Sequence, residues 1–211
     1  MQCSAFRLVS NRTVRNEKKL ARPRSFEPEE ALEKAKNVFW AKGFDATSMA
    51  DLTGAMGINK FSLYATFGDK RSLFLKCLQH YRKTAVATQF ACLQNPAGIS
   101  GIEQFFEQIL TMPEASKAGG CLMMNSLVEL SGQDPEIDKI IQDHFKWVEK
   151  QFVHALRDAQ TTGDLASITN VEERAQGLIA LTQGVIALSK AKFGRRMAKA
   201  AVQDGLTSLA A

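Results

Sequence analysis

Apolar residues recur at helical spacing along most of the chain. In the first such run, Leu32, Ala35 and Phe39 lie on one helical face. Pro28 suits the first turn of this helix, and Gly43 suits its end. Further long helical runs are predicted over residues 72–93, 102–112, 121–130, 134–161, 171–192 and 195–209. No run alternates apolar and polar residues as a strand does, so the pattern predicts an all-α fold of about nine helices.

Residues 47–67 are predicted to form two short helices joined by a tight turn. Thr47 is a good N-cap for the first helix, and Gly57 can adopt the positive φ that the turn requires. Ile58 then fills the corner, and Asn59 can cap the second helix. The residues expected to face inward are Met49, Leu52, Met56, Leu63 and Phe67. This combination is typical of a helix-turn-helix, whose second helix enters the major groove of DNA.

The start of the second helix and its exposed face are predicted to read the bases. Lys60 can donate to guanine or to a phosphate, and Phe61 can touch a thymine methyl group. Thr47 and Ser48 are expected to offer hydroxyl and backbone N–H groups to a phosphate, and Lys70 to reach the backbone from the other side. Three more residues of this segment complete the prediction: Asn59, Ser62 and Thr66.

The distribution of charge supports binding to a polyanion. Of the 27 Lys and Arg residues, 14 lie in residues 1–80, which hold only 8 of the 22 Asp and Glu residues. Residues 1–24 have poor apolar periodicity and are interpreted as a basic flexible arm. Arg22 and Arg24 flank a proline as in segments that insert into a minor groove, although a solvated tail explains the same composition.

The segment from Thr47 to Leu73 resembles the DNA-binding signature of the TetR/AcrR family. The resemblance includes Ala55-x-Gly57-Ile58-Asn59-x-x-Ser62-Leu63-Tyr64-x-x-Phe67-x-x-Lys70. It implies a homodimeric regulator with a three-helix head at residues 25–70 and a ligand-binding, dimerising body at residues 71–211. It also implies phosphate contacts by Tyr64 and Lys70. Phe61 and Thr66 depart from the family's usual residues, so the bases read remain open.

The body is expected to sense a small apolar ligand that changes the spacing of two recognition helices and releases a repressor from a palindromic operator. A ligand-independent architectural or division-linked DNA-binding protein of the same fold is the alternative. The pocket candidates, which ordinary core packing would also explain, are Phe105, Phe106, Ile109, Met112, Cys121, Met123, Met124, Phe145, Val148 and Gln183. The wide apolar surface of residues 178–188, interspersed with small residues, predicts the homodimer interface.

Several other functions are not expected. The four cysteines form no CxxC pair, and the histidines match no metal-ligand spacing, so neither a disulfide framework, a metal nor a cofactor is predicted. Cys121 is interpreted as a buried small hydrophobe, with thiol sensing as the alternative. No catalytic motif is found, so the protein is not expected to be an enzyme. Without a signal peptide or membrane-spanning run, a cytoplasmic protein with no membrane partner is expected.

Overall fold

The computed structural model describes residues 26–94, 98–112, 120–165, 170–191 and 193–210. Over these ranges the chain forms nine helices and no strand, which confirms the all-α prediction. They are α1 (Pro28–Lys42), α2 (Met49–Met56), α3 (Lys60–Phe67), α4 (Lys70–Tyr81 and its continuation), α5 (Gly98–Thr111), α6 (Leu122–Leu130), α7 (Pro135–Thr162), α8 (Val171–Ser189) and α9 (Gly194–Ala210). The predicted arm, residues 1–24, lies outside the described residues.

The first three helices pack around the start of α4 and form the head. Helix α1 has Pro28 in its first turn and ends at Gly43, whose N–H donates to the Phe39 carbonyl at 2.8 Å. The Phe39 ring lies 4.9 Å from the Phe74 ring, so α1 and α4 share an aromatic contact. The residues that close the head core, all less than 5% exposed, are Ala35, Phe39, Leu52, Met56, Leu63, Phe67 and Phe74.

Helix α4 continues beyond Tyr81 and joins the head to the body. Asp69 caps its start by accepting from the Ser72 N–H at 2.7 Å, so the helix begins two residues before the predicted Ser72. It continues through a π-helical turn at Arg82–Val86, the α-helical piece Ala87–Phe90 and a 3-10 turn at Ala91–Leu93. We call Arg82–Val86 the wide turn, because a π-helix closes its hydrogen bonds over one residue more than an α-helix.

The body packs α5 and α8 against the long helix α7. Asp134 caps α7 and accepts from two backbone N–H groups, while Gly163 ends it with a φ of +84°. The rings of Phe90, Phe105 and Phe152 meet at centroid distances of 4.6–5.9 Å, so the rod of α4 is fixed to α5 and α7 by an aromatic cluster. No described helix is long and apolar enough to cross a membrane.

The last two helices pack together and leave one face of α8 uncovered. Leu178 and Val185 are buried within the subunit. The opposite face exposes four small residues, Gly177, Ala180, Gly184 and Ala187. A Cβ placed on Gly177 or Gly184 would meet no atom within 4 Å. This face is therefore both small and accessible.

Two carboxylate-bearing contacts help to tie the head to the body. The Glu129 carboxylate, at the end of α6, accepts from the backbone N–H groups of Phe44 at 3.0 Å and Asp45 at 2.8 Å. The Arg71 guanidinium pairs with Asp134 and also donates to Glu136 at 2.9 Å. Both contacts join the ends of helices rather than their middles, so they set how the head is oriented on the body.

Candidate nucleic-acid interface

Helix α2 begins with a capping box, and its N-cap lies one residue after the predicted Thr47. Ser48, not Thr47, is the N-cap: its hydroxyl oxygen accepts from the Asp51 N–H at 3.1 Å, and Asp51 accepts from the Ser48 N–H at 2.9 Å. Lys42 and these Ser48 contacts hold the pKa of Asp51 far below its usual range. The box explains the choice, because only Ser48 has an acidic residue three positions later.

The predicted role of the Thr47 hydroxyl is corrected as well. Thr47 is 1% exposed, and its hydroxyl donates to the Gly43 carbonyl at 2.6 Å. Its only hydroxyl proton is therefore used inside the head and is not offered to a phosphate. The Ser48 hydroxyl, although exposed, likewise donates to Asp51 at 2.8 Å. The first turn of α2 still presents backbone N–H groups that lack an intrahelical partner.

The turn between α2 and α3 has the geometry that the sequence predicts. Gly57 adopts the left-handed conformation, with φ +67° and ψ +28°, and its N–H donates to the Thr53 carbonyl. Ile58 is half-buried against the head core. Asn59 caps α3 by accepting from the Ser62 N–H at 2.8 Å. Both ends of the turn are thus fixed, which sets the angle between the two helices.

Helix α3 places its apolar residues inward and its candidate base-reading residues outward. Leu63 and Phe67 are buried, as predicted, at 0% and 4% exposure. Phe61 is 82% exposed and Tyr64 45% exposed, which is unusual for large aromatic side chains. Lys60 is exposed, whereas Ser62 and Thr66 are half-buried at the edges of this face. We call Lys60, Phe61 and Tyr64 the α3 face.

The α3 face carries a positive charge beside an aromatic ring. The Lys60 ammonium lies 5.9 Å from the centre of the Tyr64 ring, and among the described residues no carboxylate pairs with it. Lys70 lies at the start of α4, where its ammonium donates to the Asp45 carbonyl at 3.3 Å and sits 4.6 Å from the Phe44 ring. An ammonium has three donors, so both lysines retain N–H groups for a phosphate or a base edge.

A cavity of about 800 Å³ lies between the head and the body. It is lined by α1, α4, α5, α8 and Gly120, which lies two residues before α6. Its lining residues are Glu33, Lys36, Trp40, Tyr81, Thr84, Ala85, Thr88, Gln89, Gln108, Ile109, Met112, Gly120, Ile186 and Ser189. Seven of these fourteen residues have polar or charged side chains, not counting Trp40 and Tyr81. The pocket residues predicted from the sequence are mostly apolar.

Few of the predicted pocket residues line this cavity. Ile109 and Met112 do, and Phe145 lines a second groove of about 460 Å³ between α6, α7 and α8. Met124 and Gln183 are half-buried and line neither space. The remaining candidates are buried in the body core: Phe105, Phe106, Cys121, Met123 and Val148. For these five residues, the alternative interpretation of ordinary core packing describes their position, because they lie on the inner faces of their helices.

The cysteines and histidines show no reactive or metal-binding arrangement in the described part of the chain. Burial raises the pKa of the Cys121 thiol, which contacts Tyr81. Burial likewise raises the pKa of Cys92, and Cys77 is also fully buried. Within the described ranges, no three His, Cys, Asp or Glu residues cluster as metal ligands would.

Comparisons with known proteins agree with this architecture. Residues 31–77 match the family model described as bacterial regulatory proteins, tetR family, and residues 98–203 match the tetracyclin repressor-like C-terminal domain. An uncharacterized HTH-type transcriptional regulator of Bacillus subtilis, YezE, is 33% identical over 150 residues, covering 69% of this chain and 76% of that protein. The HTH-type transcriptional repressor ComR of Escherichia coli is 29% identical, covering 80% of this chain and 81% of that protein.

A solved structure of a relative contains DNA. A cysteine mutant of the TetR family transcriptional regulator CifR, in complex with a 26-bp double-strand operator, is 30% identical to this chain and superposes with a TM-score of 0.74. The match covers 89% of this chain and 99% of that one. The resemblance inferred from residues 47–73 is thereby confirmed. The chain belongs to the TetR family of bacterial regulatory proteins and is a DNA-binding transcription regulator of the helix-turn-helix type.

Proposed function

We propose that the protein is a repressor that binds a palindromic operator as a homodimer through the α3 face, and that a small molecule releases it. The observation that carries the DNA contact is the exposure of Phe61 and Tyr64 beside Lys60 on a helix held at both ends. Two exposed aromatic rings beside a lysine that no described carboxylate pairs with form a patch, and such patches mark binding surfaces. The relative ComR is named as a repressor, which supports the proposed sign of regulation.

Within this proposal the contacts divide into two kinds. Lys60, Phe61, Ser62 and Thr66 face the base edges from α3. The free backbone N–H groups in the first turn of α2, which follows the N-cap Ser48, position the head on the phosphates together with Asn59, Tyr64 and Lys70. Release by the effector takes place without chemical turnover, so the activity is binding rather than catalysis, and it is exerted in the cytoplasm where the operator lies.

The experiment for DNA binding begins with selection of bound sequences from random DNA, which should yield a palindrome. Lys60→Ala should then lower operator affinity, and Lys139→Ala, which removes an equally exposed lysine from the body, should not. If Lys60 contacts a base, the loss should be about 1–3 kcal/mol and concentrated at one operator position. If it contacts a phosphate, the loss should be uniform and the salt slope should fall by roughly 0.9.

Equal operator affinity for wild type, Lys60→Ala and Tyr64→Ala would refute a DNA contact by the α3 face. Selection that enriches no motif would favour the architectural alternative. The cavity between head and body argues for an effector instead, since it has the size of a small-molecule site.

The proposed dimer interface is the uncovered face of α8. Its small side chains permit two helices to approach closely, and half-sites about 34–36 Å apart require two heads held by one interface. Gly184→Arg should give a monomer in sedimentation, because it places a long charged side chain on the contact face. The subunit itself should tolerate the change, since a Cβ at this position meets none of its atoms within 4 Å. Gln104→Arg adds the same charge on exposed α5 and should remain dimeric. A dimer with Gly184→Arg would place the interface elsewhere.

A further inference from the structure

The cavity between the head and the body is shared by elements that are far apart in the sequence. Helix α1 of the head contributes Glu33, Lys36 and Trp40, and the body contributes α4, α5 and α8. Trp40 also donates from its indole N–H to the Gly120 carbonyl at 3.2 Å, directly at the cavity wall. An occupant of this space would therefore touch the head and the body at the same time.

Ser189 supplies a hydrogen-bonding group with no partner of its own. It lines the cavity near the end of α8, is 5% exposed, and its hydroxyl makes no hydrogen bond. A buried hydroxyl without a partner is unfavourable, because it has given up its hydrogen bonds to water and gained none in the protein. By contrast, Thr182, two turns earlier on the same helix, donates to the Leu178 carbonyl at 2.7 Å. The hydroxyl of Ser189 can therefore donate to, or accept from, a molecule that occupies the cavity.

The charges at the cavity cancel. Lys36 is 4% exposed, and its ammonium donates to Glu33 at 2.6 Å while lying 5.5 Å from the centre of the Trp40 ring. The other oxygen of Glu33 contacts His80 at 3.0 Å, behind the cavity. These are the only acidic and basic residues among the described lining residues, and they pair with each other, so the lining itself offers an ion no unpaired charge. The Lys190 ammonium lies just outside the lining, beside Gly120. The remaining N–H groups of Lys36 still favour a hydrogen-bond acceptor.

We propose that this cavity binds a neutral amphipathic molecule with an apolar body and a carbonyl or hydroxyl acceptor. The acceptor of the ligand accepts a hydrogen bond from the Ser189 hydroxyl. The apolar part of the ligand packs on Trp40, Ile109 and Ile186. The amides of Gln89 and Gln108 complete the polar wall. This proposal rests on the effector of the proposed function and identifies its site and chemistry.

The position of the site explains how binding would reach the DNA. Trp40 and Lys36 lie on α1, which packs against both α2 and α4 of the head. A ligand that packs on Trp40 would shift the position of α1 directly, without any rearrangement of the body core. Because the half-sites are fixed on DNA, a small tilt of each head is enough to lose register.

The test uses prodan, a neutral naphthyl ketone whose absorption accepts energy from tryptophan. The chain has two tryptophans, and Trp147→Phe leaves Trp40, at the cavity wall, as the only donor. In that background, prodan should bind and quench Trp40. Ala85→Phe fills the cavity from its exposed rim and should weaken binding at least about tenfold. Ala87→Phe adds the same ring on the same rod but outside the cavity, and should leave affinity unchanged.

Ser189 and the charge of the ligand are tested separately. Ser189→Ala should weaken prodan binding about three- to tenfold and should not lower the melting temperature of the free protein, since no hydrogen bond is lost. Thr182→Val should leave prodan affinity unchanged. Anilinonaphthalene sulfonate, an anion with a similar ring system, should bind the same protein less tightly than prodan.

Equal weakening by Ala85→Phe and Ala87→Phe, or none, would overturn the site. Unchanged affinity in Ser189→Ala would overturn the role of its hydroxyl, and tighter binding of the sulfonate would overturn the neutral ligand. Operator binding, measured by anisotropy in parallel, keeps the two proposals separate. If Lys60→Ala weakens operator binding but Ala85→Phe leaves prodan affinity unchanged, only the cavity proposal fails. If Ala85→Phe weakens prodan binding but Lys60→Ala leaves operator affinity unchanged, only the proposed DNA contact by the α3 face fails.

Discussion

Glu129→Ala should loosen the head from the body. The Glu129 carboxylate accepts two backbone N–H groups, from Phe44 at 3.0 Å and Asp45 at 2.8 Å, in the turn that leads from α1 into α2. The turn has little room to adapt, because Gly43 has a φ of +83° and a Cβ placed there would lie 2.9 Å from the Glu129 carboxylate. The two hydrogen bonds therefore hold one defined conformation.

The size of the effect follows from the number and exposure of these bonds. A hydrogen bond to a charged group contributes about 1.5–3 kcal/mol when well shielded. Glu129 is half-buried and Asp45 is exposed, so water can replace part of each bond, and we expect a total loss of about 2 kcal/mol. For a chain of this length that corresponds to a fall in melting temperature of about 4–8 °C. Glu129→Gln keeps one acceptor oxygen and should lose about half as much.

Scanning calorimetry measures the stability, and hydrogen exchange of the Phe44 and Asp45 amides shows where it is lost. Both amides should exchange faster in Glu129→Ala, while amides in α7 should change only with global stability. Glu107→Ala, on the exposed side of α5, is the matched control. Unchanged exchange at the two amides together with a melting temperature within about 1 °C of wild type would refute the reasoning.

Three further predictions concern local chemistry. His144 is 2% exposed, and burial lowers its pKa to about 4. Between pH 4 and about 6.5 only the unfolded state binds a proton at this histidine, so stability should rise with pH over that range. His144→Phe should flatten this pH dependence in urea titrations. Arg71 lowers the pKa of Asp134 to about 2, so wild-type stability should fall as pH drops from 4 toward 2. Asp134→Asn should lose less stability over the same range, although Asp51 still titrates there, and an equal loss in both proteins would contradict the role of Asp134. Gly57→Ala should cost about 1–2 kcal/mol through its positive φ alone, while Gly54→Ala in α2 should stabilise; equal melting temperatures for the pair would contradict this.

The head was predictable from the sequence because its structure depends on local signals. Gly57, Asn59 and the spacing of Leu63 and Phe67 act within a few residues of one another, and each behaves as expected. The N-cap of α2 was the exception. Thr47 and Ser48 are both good caps, and a longer-range fact, the burial of Thr47 against Gly43, decides between them. Asp51 was the available signal, since it completes a capping box only with Ser48.

The cavity was not predictable in the same way. Phe105 and Met123 were chosen because such side chains suit an apolar pocket, but those side chains fill the core at 0% exposure. A cavity forms where helices fail to meet, and that depends on crossing angles that no periodicity records. Its polar residues Gln89 and Ser189, more than ninety positions apart, carry no shared pattern. That the Ser189 hydroxyl has no hydrogen-bond partner can be recognised only when the positions of all neighbouring atoms are known.

The wide turn in α4 has a consequence for how related chains are compared. A π-helical turn holds one more residue than the α-helical turn it replaces, so the residues before Arg82 and after Val86 keep their faces despite that extra residue. In a regular α-helix, deleting one residue would rotate every later side chain by about 100°. Deleting exposed Lys83 from the wide turn should instead restore a regular α-helix and leave Phe90 in the core. Chains descended from a common ancestor can therefore differ by a one-residue gap inside this helix and still share the same core on both sides of it.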